Sequence, residues 1–173
     1  MTDLPFLHGY PRHVLALVRQ SLVAGTLGPY LAQRYPEQHA IRSDALLYEH
    51  AMDFKQRFMR HSGPLSKVVF DNRLQSDRRA LGTLTTVSRV QGGQLRAKRE
   101  VRIAAVFRQA PAAMLNMILV HELAHLKERE HGKAFYALCS HMLAGYLQVE
   151  FDTRLYLSLQ ATLQLKAVAA MPI

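Results

Sequence analysis

Apolar positions along the chain recur first at helical spacing, then in alternation, then again at helical spacing, which predicts helices, a small sheet and further helices. After Pro11, Val14, Leu15, Leu17, Val18, Leu22 and Val23 make a broad apolar face that stops near Gly25. A short second helix is expected over 29–35. Ser43 and Asp44 start a third, with Leu46, Leu47, His50, Met52, Phe54 and Phe58 turned inward and a stop at Ser62-Gly63-Pro64. Strands follow over 67–71, 81–91 and 94–107, and Gly92-Gly93 is the expected hairpin turn between the last two. Pro111 opens an apolar helix in which Met114, Met117, Ile118, His121 and His125 share one side. Residues 132–143 make the next helix, Gly145 breaks it, and a last helix runs over 149–164.

The apolar helix that begins at Pro111 carries the chemistry. Residues 121–125 read His-Glu-Leu-Ala-His, the H-E-x-x-H pattern. Residues four apart lie one above the other on a helix, so His121 and His125 can aim ring nitrogens at a single Zn2+ ion. Glu122, about 100° around the helix, is placed to take a proton from a water activated there, which makes it the expected general base. A third ligand is required, and His131 is the nearest candidate. An unbroken helix would carry His131 about 240° away from His125, onto the wrong side. The helix must therefore end before it, and charged Lys127 to Glu130 with Gly132 suit a turn. Glu150, with Asp152 beside it, is the substitute should His131 not coordinate. Three ionisable groups within five residues of a core helix are costly to bury without a shared partner, which argues against an ordinary helix end.

The stretch His-Glu-Leu-Ala-His-Leu, followed by His131-Gly132-Lys133-Ala134-Phe135-Tyr136, resembles the YgjP-like metallopeptidase domain, related to the SprT and WLM zinc peptidases. Weaker matches lie upstream at Leu81-Gly82-Thr83, in the strand ending at Phe107, and at Pro111. The resemblance covers about residues 64–143. It implies zinc held by His121, His125 and His131, Glu122 as catalytic base, and an α+β fold: a small zincin-like domain whose short antiparallel or mixed sheet packs on the H-E-x-x-H helix, with N- and C-terminal helices. Outside the resemblance, residues 1–63 are expected as a helical extension packed on the core, with 64–173 as the zincin-like domain, together one compact unit.

Composition adds compartment and charge. With 173 residues, 49% of them hydrophobic, there is enough chain for one core. The single Cys139 excludes an internal disulfide, and the first residues lack the pattern of a secretory signal, so a cytoplasmic location is expected. Cys139 falls on the apolar stripe Phe135, Leu138, Cys139 and Met142 and reads as a small core residue. No apolar run is long enough to cross a bilayer. Residues 54–108 hold 13 Lys plus Arg against 3 Asp plus Glu, a net of +10, while the other 118 residues hold 9 against 10. A basic sheet region beside a metal could hold nucleic acid or a nucleotide. The plainer expectation is that Arg96, Lys98, Arg99 and Arg102 form the wet side of an antiparallel sheet.

Among the remaining polar residues, Tyr136, Tyr146 and Tyr156 are equally oxyanion donors or packing residues. His141 could hydrogen-bond the oxyanion but reads rather as a satisfied core histidine. His8, His13, His39, His50 and His61 have no ligand spacing and read as surface or helix residues.

Zinc-assisted hydrolysis is the expected chemistry, with a peptide or protein as first expected substrate. An extended peptide would pair with an edge strand, for which the strand before the metal helix is the natural choice. The same activated water could attack phosphorus, and because a family member has been linked to nucleotide pyrophosphate hydrolysis, a metal-dependent nucleoside triphosphate pyrophosphohydrolase is the alternative. A nucleic-acid-binding adaptor with structural zinc is the third. It would leave Glu122 idle, and three His without Cys would be an unusual closed site.

Overall fold

The computed structural model describes residues 4–74, 81–91 and 94–169, with helices α1 (Arg12–Val23), α2 (Leu27–Arg34), α3 (Asp44–Phe58), α4 (Ala112–Ala124), α5 (Lys133–Met142) and α6 (Tyr146–Ala169). Three strands, β1 (Lys67–Asp71), β2 (Gly82–Gln91) and β3 (Gln94–Ala104), complete an α+β fold. Gly92-Gly93, the expected turn, lies outside the described residues. No single described helix is long and apolar enough to cross a membrane.

Two compact units emerge. Glu37–Leu147 form one, and the described residues before and after it form the other. In the first, β3 is the central strand of a mixed sheet of order β1-β3-β2, parallel to β1 and antiparallel to β2. This corrects the expectation that the strand before the metal helix lies at an edge: β3 is hydrogen-bonded on both sides, and β2 is outermost. Sheet alternation explains the composition of the strands. Val68, Val101 and Leu84 lie side by side in one row and Phe70, Ile103 and Gly82 in the next, with Val68, Val101, Phe70 and Ile103 buried. On the opposite side Arg102 bonds Asp71 at 3.0 Å and reaches Glu100 at 3.5 Å, so it is an ion-paired sheet residue rather than a loose surface charge.

Local signals set the helix starts. The Ser43 hydroxyl accepts from the Leu46 amide at 3.2 Å and caps α3, while Asp44 accepts from the Phe70 amide and links α3 to β1. The inward side of α3 differs from the expected one. Leu47, Ala51, Phe54 and Lys55 are buried, whereas Leu46 is 44% exposed. Lys55 accommodates its burial by donating to the Ser62 carbonyl at 3.2 Å. β3 also ends earlier than expected, at Ala104, and the chain turns through a short 3-10 helix, Ala105–Arg108, before α4.

Two histidines, His39 and His50 on α3, fasten the support of α4. His39 accepts from the Ile41 amide through Nδ1, so its Nε2 carries the proton and donates to the Phe107 carbonyl at 3.0 Å. Burial holds its pKa below the ordinary histidine range. Next to it, the Ala112 amide donates to the Glu37 carbonyl. His50 Nε2 donates to the Asn116 side-chain oxygen at 2.7 Å, tying α3 to α4.

In the other unit a buried carboxylate organises the packing. Asp152 on α6 accepts from the Tyr35 hydroxyl at 2.6 Å and from Gln148 at 3.1 Å, and pairs with Arg34 at 3.1 Å. Burial and the bond to Asp152 push the Tyr35 phenol up to about 12. α6 extends past both ends of its expected range, because after Gly145, whose φ of 72° breaks the chain from α5, no Gly or Pro interrupts it.

Candidate metal centre

α4 is buried on nearly every side, with Met114, Leu115, Met117, Leu119, Val120, Leu123 and Ala124 all at 1% exposure or less. A helix of this kind cannot present polar groups to water along its length, so those at its C-terminal end need partners. α4 stops at Ala124, with His125 as its C-cap. The break required between His125 and His131 is therefore present. The amides of Lys127 and Glu128 both donate to the Ala124 carbonyl, closing the last turn, and the chain runs on to Gly132, the extended N-cap of α5.

This turn brings the three predicted histidines together. Nε2 of His131 lies 3.1 Å from Nε2 of His125 and 3.1 Å from Nε2 of His121. All three ligand atoms fall within 4.8 Å of one another, His121 and His125 half-buried and His131 exposed. Glu150 and Asp152 are not part of the group: both belong to the other unit, where Glu150 pairs with Arg154 at 2.8 Å.

The opposite ring nitrogens test whether a metal fits. Nδ1 of His125 lies 2.9 Å from the Glu128 carbonyl, which can only accept, so Nδ1 carries the proton and Nε2 presents a lone pair to the cluster. Nδ1 of His121 is bonded to the Tyr146 hydroxyl at 2.7 Å, leaving its Nε2 to face the same point. Lone pairs converging at 3.1 Å repel unless a cation lies among them. Nitrogens held about 2.0–2.1 Å from one tetrahedral ion sit roughly 3.4 Å apart, close to the observed spacing. The donor set is that of a metal site, with the outer nitrogens fixed by a carbonyl and a phenol in the usual way.

Phe135, fully buried on α5, lies beneath all three rings, its centroid 4.9, 4.7 and 4.8 Å from those of His121, His125 and His131. Glu122 points to a different side of α4 and is 4% exposed; burial pushes its carboxyl up to about 8. Tyr146, one of three tyrosines weighed as oxyanion donors, is buried against His121 instead. Tyr156 lies in the other unit, and Tyr136 packs edge-on against Phe135. His141, expected in the core, is instead exposed and meets Phe58 edge-on, whereas Cys139 is the buried core residue expected. Sequence reasoning missed Phe135 as the floor of the cluster, although its place four residues after His131 on an apolar stripe was a usable signal.

A family model described as the YgjP-like metallopeptidase domain matches residues 86–152, which include the three histidines and Glu122. A UTP pyrophosphatase of Escherichia coli (strain K12) is 51% identical over 158 residues, covering 91% of this chain and 95% of that protein. No solved structure matches significantly. With a relative so similar over nearly its whole length, the chain belongs to the YgjP-like family.

Proposed function

We propose that the protein is a metal-dependent hydrolase that cleaves a phosphoanhydride bond of UTP or a similar nucleoside triphosphate, with Zn2+ held by His121, His125 and His131. The observation that carries this reading is the name of the relative, UTP pyrophosphatase, at 51% identity across 91% of the chain. The net charge of +10 over residues 54–108 supports a polyanionic substrate.

When bound, the ion supplies Lewis acidity and lowers the pKa of water at its open position. The protein's own groups do the rest. His121, His125 and His131 would hold the ion, while the Glu128 carbonyl and the Tyr146 hydroxyl keep the His125 and His121 rings in orientation. Glu122 takes the proton of the attacking water as its oxygen bonds to the α-phosphorus, and the α–β bridging oxygen leaves with pyrophosphate.

A peptidase is the second reading, favoured by the family model's description and by β2 as an outermost strand on which an extended peptide could pair. Purified protein incubated in parallel with UTP and with a casein-type peptide library separates the two. UMP and pyrophosphate with intact peptides are the expected products. Cleaved peptides with intact UTP would replace the first reading by the second. Glu122→Gln should retain the metal and lose turnover, and unchanged turnover would remove Glu122 from its role.

A further inference from the structure

Gly82 opens β2 opposite Ile103, in regular antiparallel pairing. Its backbone does not call for glycine, since the glycines with positive φ are Gly9, Gly25 and Gly145. A glycine at a paired strand position can mark a close approach by another group. The approaching group is the Glu122 side chain. A Cβ on Gly82 would stand 2.5 Å from Oε1, 2.7 Å from Cγ and 2.8 Å from Cδ of Glu122. By contrast, a Cβ on Gly132, beside His131, would meet nothing within 4 Å.

We infer that Gly82 is a positioning residue whose missing side chain leaves the space in which the Glu122 carboxyl is set. Neither backbone can yield instead. Gly82 is held by pairing to fully buried Ile103, and the Leu81 carbonyl accepts from the Ala104 amide at 2.9 Å. On α4, Val120 and Leu123, flanking Glu122, are fully buried. A methyl group at 82 must therefore be relieved by swinging the carboxyl away, and a displacement of about 1 Å at a reacting group can cost on the order of 100-fold in rate. The three atoms nearest the added Cβ all belong to Glu122 and none to the proposed ligands His121, His125 and His131. The strand thus fixes the proton acceptor separately from the ion, an inference that rests on Glu122 being that acceptor.

Four proteins test it: wild type, Gly82→Ala, Glu122→Ala and the double variant, with zinc content, melting temperature and UTP kinetics measured on each. Gly82→Ala should keep its zinc and its KM, lose about 100-fold in kcat, and melt about 2–10 °C lower. In the Glu122→Ala background the same methyl group should cost little or nothing in melting temperature, because the side chain it meets is gone. That result stands even if Gly82→Ala alone is too unstable to assay. An equal melting loss in both backgrounds, or wild-type kcat in a folded Gly82→Ala, overturns the inference. Failure of the underlying reading looks different: Glu122→Gln would then turn over normally while the melting cycle still showed the coupling.

Discussion

The Tyr146 hydroxyl lies 2.7 Å from Nδ1 of His121, across 25 residues of sequence, and is buried at 1% exposure. With Nε2 of His121 as the proposed metal ligand, Nδ1 would carry the proton and the phenol oxygen would accept it, so the bond would fix both tautomer and ring angle. Tyr146→Phe keeps the ring and removes the acceptor. Zinc affinity, measured by competition with a chelator of known strength, should fall about 10- to 100-fold with the fold intact. Unchanged affinity would show that the hydroxyl only fills space.

Phe135 acts on the same three rings by packing. Removing it should leave a cavity under His121, His125 and His131 and cost about 3–5 kcal/mol of stability. Urea unfolding of zinc-free Phe135→Ala against zinc-free wild type measures that loss without any contribution from the ion. Phe135→Leu should lose less of both stability and zinc affinity. Equal stability of the alanine variant and wild type would contradict Phe135 as the floor of the cluster.

The Tyr35 phenol, pushed up to about 12 by burial and by its bond to Asp152, gives the other unit a dependence on alkaline pH. The folded chain holds this proton longer than an unfolded tyrosine near 10 would. The stabilising contribution is therefore complete below pH ~10 and disappears as pH rises towards 12. The difference in ultraviolet titration between wild type and Tyr35→Phe isolates this group among the seven tyrosines, and should show a midpoint near 12. A midpoint in the ordinary range near 10 would mean that the Tyr35–Asp152 bond does not persist in solution.

How legible these features were depended on sequence distance. His121, Glu122 and His125 could be read because helical periodicity links neighbours four apart, and the break before His131 followed from the wrong side it would otherwise occupy. Ser43, Pro111 and Gly145 marked boundaries through local backbone chemistry alone. Tyr146 on His121, Gly82 against Glu122 and the placing of β2 outside β3 depend on tertiary packing, which no local period encodes. Leu46 shows the same limit in reverse. It shares the apolar pattern of α3, yet its neighbour Leu47 and distant Ala51 and Lys55 face the core. Alternation predicts the side of the sheet on which Arg102 lies but not its partners, and Arg102 has two acidic ones.

The central claim is that a metal ion on His121, His125 and His131 is required for hydrolysis of a nucleoside triphosphate. Its most direct measurement is pyrophosphate release from UTP by protein stripped with a chelator, then reloaded with a single equivalent of zinc, in wild type and His125→Ala. Stripped wild type should be inactive and recover on reloading, and His125→Ala should stay inactive at that zinc level. Undiminished release by the stripped protein would contradict the account.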